Sequence, residues 1–60
     1  MTDLRERVRK FHEIEGVSYK TIAQIIDVSL SVMYNFTSGV RELKDHKKEL
    51  LNEYLESKGY

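Results

Sequence analysis

The residues best equipped for chemistry lie in one short strip: Leu30, Ser31, Tyr34, Asn35 and Ser38. Their hydroxyl and amide groups both donate and accept hydrogen bonds, and none carries a charge. Such groups suit the edges of nucleic-acid bases. An Asn amide pairs bidentately with adenine, Ser contacts several bases, and Leu meets a thymine methyl by apolar contact. A helix face kept merely solvated would carry Glu and Lys instead. An uncharged patch used against another protein fits the same composition. Nothing is comparably equipped for catalysis. His12 and His46 fall on separate helical segments among charged residues and read as surface or boundary positions. There is no cysteine nucleophile, phosphate-binding loop or clustered carboxylate pair. With two histidines and no cysteine, neither a zinc site nor a disulfide framework is expected, and no metal or cofactor is implied.

The strip must be positioned by the stretch Ser18–Gly39, which reads as two short helices joined at Asp27-Val28-Ser29. Ser18 is suited to cap the first, and Ile22, Ala23, Ile25 and Ile26 supply its apolar side. Ser29 is suited to cap the second, where Val32, Met33 and Phe36 recur at helical spacing and should face inward. Two helices of about two turns with so short a link cannot lie antiparallel and must cross steeply, the geometry of a helix-turn-helix. Ala23 is small enough to permit that close crossing. Asp27 is expected at positive φ, which aspartate tolerates better than most residues. Val28 then points back to the core.

Two further helices complete the expected fold. Asp3 with Glu6 fits a capping box opening the first, whose buried face is read as Leu4, Val8, Phe11 and Ile14. Gly16 should end it in the left-handed conformation. Arg5, Arg7, Arg9 and Lys10 make this helix locally basic; they read as a solvated outer face, with Arg5 or Arg9 able instead to reach a phosphate. The last helix spans Leu43 to Lys58, with Leu43, Leu50, Leu51, Tyr54 and Leu55 apolar and His46 and Lys47 at the edge. That face is wider than three short helices require. Tyr54, Leu55 and Tyr60 are therefore the candidate contacts for a homodimer. The expected fold is all-α: one compact domain over 1–60, with helices at about 3–15, 19–26, 29–37 and 43–58.

Charge limits the function. Ten Lys and Arg balance ten Asp and Glu, and the pI is about 6.7, whereas small nucleic-acid-binding domains commonly exceed roughly 9. Only the charge on one face matters for binding, so neutrality does not exclude nucleic acid. Residues 21–40 contain no Lys or Arg. Cations come from the flanks, where Lys20, Arg41 and Lys44 lie nearest the strip. Tyr19 and Lys20 also sit in a first helical turn, beside free backbone N–H groups. No apolar run is long enough to span a membrane and no signal-peptide h-region is visible, so a cytoplasmic protein is the default, and the capped start and end suggest a complete domain.

The stretch TIAQIIDVSLSVMYNFTSGVRE resembles a phage-repressor-type helix-turn-helix domain (Cro/CI-like, xenobiotic-response-element family), with the likeness covering about residues 4–44. Ile22-Ala23 stands at that family's Leu-Ala position, Asp27-Val28-Ser29 at its Gly-Val-Ser turn, and Gly39-Val40-Arg41 at its close. Gly16-Val17-Ser18 matches its first link. The resemblance implies a lambda-repressor-like fold and a prokaryotic or phage transcription regulator, such as a repressor, that binds double-stranded DNA as a dimer. It places Ser29, Leu30, Ser31, Tyr34 and Asn35 at base-facing positions. Tyr19 takes the place of a phosphate-binding glutamine, and Ser38 and Arg41 fall in a loop that touches the backbone. The chain departs from the pattern with Asp27 for the turn glycine, Tyr19 for Gln, and no Lys, Arg or Gln on the recognition helix. Its neutral Leu30/Tyr34 surface equally suits a module that binds a regulatory protein or mediates oligomerisation.

Overall fold

A computed structural model describes residues 3–60. Four α-helices and no strand occur among them: α1 (Leu4–Glu15), α2 (Tyr19–Ile25), α3 (Leu30–Thr37) and α4 (Asp45–Ser57). Local chemistry accounts for most of the boundaries. The Asp3 carboxylate accepts from the Glu6 N–H at 2.8 Å, and the Ser18 and Ser29 hydroxyls accept from Thr21 N–H and Val32 N–H, each at 3.2 Å. Each bond satisfies one of the N–H groups that a helix start leaves unpaired. Gly16 takes φ 70° and donates to the His12 carbonyl at 3.0 Å, closing α1. Asp27 takes φ 58°, which redirects the chain between α2 and α3. The Val28 N–H then donates to the Ala23 carbonyl at 2.9 Å, and Val28 packs against the core.

The core joins all four helices: Val8 and Phe11 from α1, Ile22 and Ala23 from α2, Met33 and Phe36 from α3, Leu51 and Leu55 from α4. Ile26 and Leu43 complete it from the connections. Leu43 precedes α4 rather than opening it. Lys44 is still extended at ψ 151°, so Leu43 plugs the core from the loop and the helix starts at Asp45.

Three residues assigned to inner faces lie outside. Ile14 is 66% exposed, and Ile25 and Leu50 are also exposed. A helix advances about 100° per residue, so the two i+3 steps from Val8 through Phe11 to Ile14 rotate about 120° round the axis. Ile25 and Leu50 stand similarly off the buried stripes of α2 and α4.

Of the dimer contacts expected at Tyr54, Leu55 and Tyr60, one is corrected, while Tyr54 and Tyr60 stay half-buried. Leu55 is fully buried within its own chain. The rings of Tyr54 and Tyr60 meet Phe11 edge-on, with centroids 5.5 and 5.3 Å away. Part of the wide apolar face of α4 is covered from within, because Tyr54 and Tyr60 pack on Phe11 of α1, while Leu50 stays exposed. Two arginines read as solvated hold this arrangement together. Arg7 donates to the Tyr60 carbonyl at 2.7 Å and to Asn52 Oδ1 at 2.6 Å. Arg5 donates to the Phe36 carbonyl at 2.5 Å and pairs with Glu42, which Lys48 also reaches at 3.1 Å. Tying α1 to α3 in this way fixes the platform on which α3 presents its outer face.

Candidate nucleic-acid interface

Helix α3 buries Met33, Phe36 and Thr37 and turns the opposite side outward. Ser29, Leu30, Ser31 and Tyr34 are exposed there, with Leu30 at 37% and Tyr34 at 52%, and Asn35 is half-buried at the border. The groups are not equally free. The Ser29 hydroxyl already accepts from Val32 N–H as the helix cap, which leaves it its proton and one lone pair to offer a ligand. The Ser38 hydroxyl donates its one proton to the Asn35 carbonyl at 3.3 Å, so a phosphate contact requires that rotor to turn. The same carbonyl accepts from Val40 N–H at 2.9 Å and Arg41 N–H at 3.1 Å. The Asn35 backbone is thus pinned, while its side-chain amide makes no hydrogen bond among the described residues.

Tyr34 is oriented by an aromatic column. His12 stacks on Tyr19 with centroids 4.0 Å apart, and Tyr19 meets Tyr34 edge-on at 5.7 Å. The column starts from a fixed imidazole: Nδ1 lies 2.6 Å from the Val17 carbonyl, which can only accept, so Nδ1 carries the proton. Burial holds the Tyr19 phenol above its usual 10, with the Arg9 charge pulling the other way. Tyr19 therefore stays protonated at neutral pH and remains a donor.

Clefts run beside α3. One, of about 470 Å³, is lined by Arg9, Tyr19, Tyr34, Asn35, Thr37 and Ser38. Another, of about 290 Å³, is lined by Val28, Ser29, Val32, Leu43 and the charged Arg41, Glu42, Lys44 and Lys47. The fold thus gathers Tyr19, Tyr34, Asn35 and Ser38 in one place and Ser29, Arg41 and Lys44 in another. Leu30, Ser31 and Lys20 are exposed but line neither cleft. Of the two α1 arginines considered for phosphate, Arg5 is occupied by Phe36 and Glu42, whereas exposed Arg9 opens onto the first cleft. Glu6 and Glu13 share the surface around Arg9 and offset part of its charge. Lys47 is the additional cation. The sequence pattern sets it at the edge of the α4 apolar face, and its i+3 spacing from Lys44 places both on one side of the helix start.

The resulting surface is an uncharged helix with cationic groups beside it. It can hydrogen-bond a polar edge at its centre and hold anions at its margins. No helix among the described residues is long and apolar enough to cross a membrane. Comparison of the chain with family models, with curated proteins and with solved structures finds no match to any of them.

Proposed function

We propose that this chain is a sequence-specific DNA-binding transcription regulator of the phage-repressor type, working in the cytoplasm, with α3 lying in the major groove. One observation carries the reading: α3 presents hydroxyl, amide and aliphatic groups without charge, and clefts beside it are lined by Arg9, Arg41, Lys44 and Lys47. Base edges are read by neutral hydrogen-bonding groups, while phosphates are held by cations. In this reading Ser29, Leu30, Ser31, Tyr34 and Asn35 face bases. Tyr19, Lys20, Ser38, Arg41 and Lys44 face the backbone, joined by Arg9 and Lys47. Glu42 beside Arg41, Lys44 and Lys47, and Glu6 and Glu13 around Arg9, reduce the electrostatic contribution of each copy, which two copies on half-sites about one helical turn apart would double.

The test is selection from random duplexes with the mass of the complex measured. An enriched two-fold symmetric site carrying two chains supports the reading; no enrichment with any duplex overturns it. A second reading is favoured by the exposed pair Leu30 and Tyr34, whose apolar area suits a protein partner. A stable protein complex through this face, with no salt-dependent affinity for any duplex, would select that alternative.

A further inference from the structure

The chemistry of α3 narrows the kind of DNA it fits. Guanine presents two acceptors to the major groove, and the side chains that match them are the paired donors of Arg or the ammonium of Lys. The exposed face of α3 has neither. Its cations stand in the clefts beside it, where the duplex backbone would pass. The group with the most directional information is the Asn35 amide, free of any partner among the described residues, carried on a backbone pinned by Ser38, Val40 and Arg41, and lining the cleft that Arg9 also reaches. When an amide N–H₂ donates to a purine N7, its oxygen faces the group at position 6. In adenine that group is an amino donor and the contact is attractive; in guanine it is a carbonyl and the contact is repulsive. Leu30, exposed in the first turn of α3, adds an aliphatic surface. The only aliphatic group a base presents in this groove is the thymine methyl.

We infer that the ligand of this surface is duplex DNA with A·T pairs where α3 meets the bases, an adenine edge on Asn35 and a thymine methyl against Leu30. This rests on α3 being a major-groove reader. The full chain is titrated against the duplex it selects from a random pool, then against the same duplex with uracil for thymine or 7-deazaadenine for adenine. Uracil differs from thymine by one methyl, so the expected loss is about fourfold for the contacted position, and Leu30→Ala should erase it. The 7-deazaadenine duplex, which lacks N7, should bind several-fold more weakly to the parent chain and equally well to Asn35→Ala. Salt-dependent binding to a selected site rich in G·C, or without base preference, overturns the inference and leaves the DNA-binding reading standing. So does indifference to both modified bases. Absence of salt-dependent binding to every duplex overturns both together.

Discussion

The backbone N–H of Arg41 donates to the carbonyl of Asn35 at 3.1 Å, so the turn after α3 ties a candidate phosphate contact to a candidate base contact. A shift of one moves the other. In the proposed reading, this coupling would keep a helix without cations in register on a charged polymer, because the loop that ends it carries Arg41.

Asn35→Ala should weaken binding to the selected duplex by about 1–3 kcal/mol while leaving affinity for random duplex nearly unchanged. Polarisation titrations on the two duplexes check this. Equal losses on both would place Asn35 on the backbone instead.

Arg9→Ala and Arg41→Ala should each behave in the opposite way. Affinity falls on all sequences, and the slope of log K against log salt becomes shallower by about one for each variant. A change in base preference without a change in slope would count against their assignment to phosphates.

Leu55→Ala should destabilise the fold by about 2–5 kcal/mol, because a fully buried side chain is truncated. Since Leu55 packs within its own chain, the loss in thermal or urea unfolding should be independent of protein concentration. A loss that shrinks as concentration rises would return Leu55 to a subunit interface. Arg7→Ala should cost about 1–2 kcal/mol through its bonds to Tyr60 and Asn52.

Glu42 gives a pH dependence. Hydrogen bonds from Arg5 and Lys48 hold its carboxyl below the usual 4.5. The folded state therefore favours the ionised form. That contribution is fully present above 4.5 and is lost as pH falls through the lowered folded value. Glu42→Gln should be less stable than the parent chain at pH 7, and the two should converge in acid. A gap of constant size across that range would mean that the charge is not what Glu42 contributes.

The features legible in the sequence are those decided within a few residues. Ser18, Ser29 and Asp3 cap the N–H groups just after them, Gly16 closes α1, and Asp27 adopts the positive φ that the α2–α3 turn needs. Helix count and class follow from the same local signals with the apolar spacing. Arg5 and Arg7 were not legible, because their partners lie 31 to 53 residues away and a charged side chain on a helix gives no sign of them. The role of Tyr60 was hidden for the same reason: its hydroxyl donates to Glu15 at 2.9 Å, a contact that also raises its own pKa. Within the candidate interface, the exposed groups of α3 could be named from spacing alone. The meeting of Arg9 with Tyr19 and Asn35 could not, since it depends on how α1 lies across α2 and α3.

The salt dependence of duplex binding tests the central claim most directly. With Arg9, Lys20, Arg41, Lys44 and Lys47 available at the interface, polarisation titrations on the selected duplex should give a slope of log K against log salt between about −3 and −5 per bound copy. A flat slope, or no binding to duplex DNA at low salt, would contradict the assignment of α3 and its flanks to nucleic acid.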